Sequence, residues 1–154
     1  MKITDVKINL IGKERDNTKA YASILIDDCF VVKGIRVIER ENGYLIAMPS
    51  CRNKAGEFKD IAHPVNSETR SVIVNKILEV FYQTVHERLS SVKRPEGYYL
   101  GFNCNNINSI TLYKEDKSTE TQQGEELISF NLEDFELESL KKLETKIFEY
   151  VNEK

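Results

Sequence analysis

Cysteine is scarce in this chain, with three in 154 residues: Cys29, Cys51 and Cys104. They are odd in number and far apart, and no two form a Cys-x-x-Cys pair. Neither a disulfide framework nor a zinc site is expected, and Cys29 and Cys104 read as reduced thiols partly buried in strands. Long apolar runs are missing too. None approaches the roughly 20 residues that a helix needs to cross a bilayer. Met1-Lys2 leads straight into a strand pattern, so no signal peptide and no membrane partner are expected. The seven glycines are scattered, which argues against a phosphate-cradling nucleotide loop. The expectation is a cytoplasmic protein without cofactor or metal.

Apolar residues make up 40% of the chain, enough for the core of one ordinary domain with room for a small second one. The formal charge of −3 is unevenly spread. Residues 1–88 hold 14 Lys and Arg against 12 Asp and Glu, a net +2. Residues 89–154 hold 8 against 13, a net −5. A slightly basic front half therefore precedes an acidic back half. A net +2 does not by itself indicate nucleic-acid binding, but phosphate binding depends on local charge.

Residues 2–11 alternate, with Val6, Ile8 and Leu10 on one face and Asp5, Lys7 and Asn9 on the other, as in a half-buried strand. Residues 12–18 read as a polar turn. Ala20, Ala22, Ile24 and Ile26 share a face of the next strand. Asp27-Asp28 turns the chain into a run from Phe30, and Gly34 within it marks a bulge. Asn42-Gly43 between two strand patterns is a strong hairpin signal. Tyr44 to Met48 is a further strand, which Pro49 ends because it has no N–H for a ladder bond. A basic loop follows, and Gly56 supplies the positive φ of its return turn. Phe58 to Ile61 reads as a short fifth strand that brings the chain back to the core. Tyr21, Phe30, Tyr44 and Phe58 are spaced like core residues, with stacking on single-stranded bases the alternative for one or two that face out.

Ser67 is placed to cap a helix running to Leu89, with Ile73, Ile77, Val80, Phe81 and Val85 as its apolar stripe. Ser90 to Pro95 reads as a joint. Beyond it come strands at 98–102, 110–113 and 127–132, a polar mobile loop at 114–126, and a helix from about Phe135 to Val151. Leu140, Leu143, Ile147 and Val151 form the stripe of that helix, which is expected to cover its own strands. The fold class is α+β: a small antiparallel meander covered by one long helix, then a smaller β-β-β-α unit. The domains are expected at 1–89 and 96–154.

The segment from Ser50 to Lys59 is the best site candidate. Arg52, Lys54 and Lys59 supply positive charge, and Ser50 and Asn53 supply hydrogen-bonding groups. Arg70 joins them from the first helical turn, beside a helix N-terminus that itself favours anions. The competing reading is a solvated loop with an arginine in a surface ion pair. His63, Asp60 and Cys51 invite a catalytic reading, but no nucleophile elbow or helical cysteine environment accompanies them. His63 reads as structural, bonding a backbone carbonyl or Asp60. No enzyme is expected.

The blocks MKITDVKI, KAYASILIDD, FVVKGIRVIE, AMPS, GEF, DIAHP and Asn66-Ser67-x-Thr69-Arg70 resemble, in order and spacing, the stage V sporulation protein G (SpoVG) family. The resemblance covers residues 1 to about 88. It implies a small dimeric regulator of septation, sporulation and gene expression that binds DNA and RNA, with basic residues in the loop after Pro49. Family members carry serine-arginine-lysine there and an acidic residue before the glycine. This chain has Ser50-Cys51-Arg52 and Ala55-Gly56, and Lys54 adds a charge two residues past Arg52. On this reading the partners are DNA or RNA and a second copy. The alternative is a dimeric adaptor whose acidic C-terminal extension takes a protein partner.

Overall fold

The computed structural model describes residues 1–11, 17–115, 124–132 and 135–153. The expected turn at 12–18 and loop at 114–126 lie largely outside these residues. The chain divides into two compact units, Met1–Thr84 and Val85–Lys154.

The first unit is built on a four-stranded antiparallel meander in sequence order: β1 Ile3–Leu10, β2 Thr18–Ile26, β3 Phe30–Arg40 and β4 Gly43–Ala47. The alternation read from the sequence is the alternation observed. Val6, Ile8 and Leu10 are half-buried while Asp5, Lys7 and Asn9 are exposed, and Ala20, Ala22 and Ile24 are buried. The β2–β3 turn places Asp27 and Asp28 at φ 47° and 56°, and Cys29 N–H donates to Ile26 O at 3.0 Å. Aspartate tolerates this left-handed backbone better than most residues, and the turn is tied to the start of β1. Here the Asp27 carboxylate accepts the Lys2 N–H at 2.8 Å.

Gly34 sits in the expected bulge. Ala22 pairs with Ile35 and Ile24 with Val32, so Lys33 and Gly34 together oppose Ser23. Gly34 has φ +77°, the conformation that a bulge of this type asks of glycine. A Cβ there would meet Pro49 at an ordinary 3.7 Å, so the backbone angle, not space, selects glycine. The hairpin at Asn42-Gly43 is also present, shifted by one residue: Glu41 and Asn42 form the loop, and Gly43 already pairs with Arg40.

Helix α1, Ser67–Ser90, starts one residue after its cap. The cap is Asn66, not Ser67. Asn66 Oδ1 accepts the Thr69 N–H at 2.8 Å, and Asn66 O takes the Arg70 N–H at 3.1 Å. Asparagine and serine are similarly good caps, and here the first of two adjacent candidates takes the role. Ile73, Ile77 and Phe81 are buried. The Phe81 ring meets the β4 ring of Tyr44 edge-on at 5.1 Å, so this part of the helix covers the sheet.

Three expectations fail here. The expected short strand is present as β6 Phe58–Asp60, but the basic loop before it begins with a strand of its own, β5 Ser50–Arg52, and the two pair as a separate two-stranded sheet. Phe58 and Ile61 do not return to the core, being 64% and 68% exposed; Tyr21 and Phe30 are exposed as well. All three cysteines are exposed.

The second unit pairs β7 Tyr98–Asn103, β8 Asn106–Lys114 and β9 Glu125–Asn131 in an antiparallel meander, followed by α2 Leu137–Asn152. Leu100, Ile110 and Leu112 from the strands and Leu140, Leu143 and Ile147 from α2 are buried. Tyr150 Oη donates to Leu127 O of β9 at 3.4 Å, so α2 lies against its own strands as expected. The unit also includes the end of α1 and the segment after it, where Val85, Leu89 and Val92 are buried. There the Lys93 N–H donates to the Glu144 carboxylate at 2.7 Å, and Arg94 holds the carbonyls of Val92 and Tyr98. Among the described residues, no helix is long and apolar enough to cross a membrane.

Candidate nucleic-acid interface

The β5–β6 hairpin is organised by Asn53. Its backbone N–H donates to Glu57 O, and its own carbonyl accepts the Gly56 N–H, each at 2.9 Å. Its side-chain oxygen accepts the N–H groups of Ala55 and Glu57, both at 2.9 Å. Its side-chain amide donates to Glu57 Oε2 at 3.0 Å. Both ends of the amide are thus used inside the turn. Gly56 closes it at φ +83°, with open space where a Cβ would stand. This turn holds Lys54 at the tip of the hairpin, exposed.

Register divides the remaining site residues between two faces. Ser50 opposes Asp60 and Arg52 opposes Phe58, whereas Cys51 opposes Lys59. Directly opposed residues share a face and successive ones alternate. Arg52 therefore lies with Ser50, Phe58 and Asp60, and Lys59 lies on the other face with Cys51. The Arg52 guanidinium sits 4.9 Å from the Phe58 ring centroid. The ring attracts the cation without using its N–H donors as a carboxylate would, so they remain able to reach a phosphate. Arg70 stands on a separate element, exposed in the first turn of α1.

Among the described residues, none of Arg52, Lys54, Lys59 and Arg70 forms an ion pair with a carboxylate. The reading of an arginine held in a surface ion pair is therefore not what the structure contains. His63 Nδ1 lies 3.1 Å from Pro64 O, the backbone carbonyl bond expected of a structural histidine. The described residues hold no cluster of three His, Cys, Asp or Glu side chains suited to a metal.

Sequence reasoning missed Phe58 as the exposed partner of Arg52. A signal was available: Glu57, Lys59 and Asp60 flank it, so no apolar face surrounds this aromatic.

A small antiparallel sheet covered by one helix, with an exposed basic hairpin between them, is the architecture of residues 1–84. The SpoVG family model matches residues 1–83, and the chain belongs to the SpoVG family. Relatives named as septation protein SpoVG match 53–61% of the chain. The one from Bdellovibrio bacteriovorus is 44% identical over 97 residues, covering 61% of this chain and 88% of its own. That from Phytoplasma australiense is 52% identical over 86 residues, 56% of this chain and 88% of its own. That from Agathobacter rectalis is 54% identical over 81 residues, 53% and 92% of the two chains. The C-terminal part lies outside the family domain.

Proposed function

We propose that the protein is a non-enzymatic regulator that binds the phosphate backbone of DNA or RNA through the β5–β6 hairpin and the start of α1. The observation that carries this reading is the set of four exposed cations, Arg52, Lys54, Lys59 and Arg70, with no carboxylate partner among the described residues. Ion-paired cations would have to lose their partners before binding a phosphate; these do not. Ser50 adds a hydroxyl beside Arg52, while Asn53 acts by shaping the turn. The names of its relatives tie the family to septation, and the resemblance adds sporulation and gene expression to the processes such binding would regulate, in the cytoplasm. No cofactor enters the binding. The test is fluorescence anisotropy of the full chain against short labelled DNA and RNA at rising salt. Binding at low salt that weakens steeply as salt rises supports the reading. No binding to either probe at low salt overturns it.

The same reading includes a homodimer. Among the described residues, strand β1 is an edge of the four-stranded sheet, with no strand paired on its outer side. Within the first unit a groove of about 350 Å³ is lined by Met1, Phe30, Ile61 and Val65 among others, all four exposed apolar side chains. Water contact at such a groove is unfavourable, and a second copy of the chain would remove it. Light scattering at tens of micromolar (an order-of-magnitude choice well above stable-dimer dissociation constants) checks this. A dimer mass that Phe30→Asp converts to monomer is the expected outcome, and a monomeric wild-type chain removes the dimer.

A further inference from the structure

Helix α1 covers one face of the four-stranded sheet and leaves the other open. Strand alternation places Asp5, Lys7, Tyr21 and Lys33 on that open face, because their strand neighbours Val6, Ala20, Ala22 and Val32 point the other way. Lys7 and Lys33 share this part of the face with one carboxylate, Asp5, while Lys19 further along β2 is paired with Glu39 at 3.1 Å. Although the chain carries a net charge of −3, the charge around Tyr21 is positive. Lys7, Tyr21 and Lys33 line a shared concavity of about 520 Å³, and the bulge at Gly34 forms part of its wall.

Tyr21 stands in its middle. It belongs to an interior strand, paired across with Asn9 on one side and Arg36 on the other, and it is 39% exposed. The ring is partly packed against its neighbours, which hold it in place, and its exposed part offers a stacking surface. Lys7 and Lys33 lie on the strands to either side, which are on the order of 10 Å apart by sheet spacing. Neither lysine forms an ion pair among the described residues.

We propose that this open sheet face is a second nucleic-acid contact, specific to single strands: one unpaired base stacks on Tyr21 while Lys7 and Lys33 bind flanking phosphates. The proposal rests on the nucleic-acid reading above and adds a surface to it. Charge complementarity favours a polyanion. The aromatic ring favours an unpaired base, since the bases of a duplex already stack on one another and keep their faces covered.

The experiment measures anisotropy of the full chain with labelled oligothymidylate and, separately, a mixed-sequence duplex. The proteins are wild type, Tyr21→Ala, Tyr21→Trp and the hairpin variant R52A/K54A. Tyr21→Ala should weaken single-strand binding by roughly 5- to 150-fold, the range for one lost base–aromatic stack. Its duplex affinity should stay within about twofold of wild type, because the duplex contact is assigned to the hairpin. Tyr21→Trp should retain single-strand binding, and Lys7→Ala or Lys33→Ala should each flatten the single-strand salt slope by about 0.7. Unchanged single-strand affinity in Tyr21→Ala overturns the platform. So does an equal loss in Tyr21→Trp, or a parallel fall in duplex binding, since either marks a packing role. If R52A/K54A weakens duplex binding while Tyr21→Ala changes nothing, the platform alone fails. If wild type binds neither probe, the nucleic-acid reading fails with it.

Discussion

Replacing Asn53 by alanine removes no charge, yet it should weaken nucleic-acid binding. Three hydrogen bonds depend on the Asn53 side chain: those from the Ala55 and Glu57 N–H groups and the one to the Glu57 carboxylate. The turn is exposed, so water replaces the lost partners and each bond contributes near the low end of the usual range, about 0.5–1 kcal/mol. The total is about 1.5–3 kcal/mol, and it falls on a hairpin whose strands are only three residues long. So short a hairpin has little local stability to lose. The helix and the four-stranded sheet do not depend on it, so global unfolding should barely move. When the binding-competent form is only partly populated, apparent affinity falls by that fraction. The loss should reach roughly 10- to 150-fold if the intact hairpin is itself only marginally formed, and be smaller otherwise. Beside anisotropy, amide hydrogen exchange at Cys51 and Lys59, which face each other in the ladder, reads both effects. Unchanged exchange at these amides would show that Asn53 does not hold the turn. Faster exchange with unchanged affinity would show that the ordered hairpin is not what binds.

Other substitutions separate the remaining parts of the account. Asn66→Ala should cost about 1 kcal/mol of stability through the lost cap, whereas Ser67→Ala should cost only a few tenths; equal losses in thermal melts would return the cap to Ser67. Ile147→Ala, at a fully buried position of α2, should destabilise the second unit by about 2–5 kcal/mol. Near-wild-type denaturant unfolding of that variant would mean that α2 is not packed as described.

The larger elements were legible because their residues repeat at a structural period. Alternation gave β1 and β2, the stripe of Ile73, Ile77 and Phe81 gave α1, and Gly34 marked its bulge. The candidate site was less legible, for physical reasons. A three-residue strand such as β5 is too short to alternate, so the first half of the hairpin read as loop while β6 was read as a strand. Phe58 and Ile61 are apolar, but residue type does not fix burial. Register, which put Arg52 and Lys59 on opposite faces of the hairpin, depends on the turn at Asn53–Glu57. Asn66 and Ser67 are adjacent and equally competent, so composition could not choose between them. The cations themselves were visible from the sequence; their freedom from ion pairs was not, because it depends on where every nearby carboxylate lies.

The central claim is that the hairpin cations bind phosphate. The salt dependence of duplex affinity for wild type and for R52A/K54A/K59A tests it most directly. Each phosphate contact contributes about 0.9 to the slope of log affinity against log salt. The account predicts a folded triple variant with weaker binding and a slope flattened by up to about 2.7, three such contacts. A folded triple variant with the wild-type affinity and slope would contradict it.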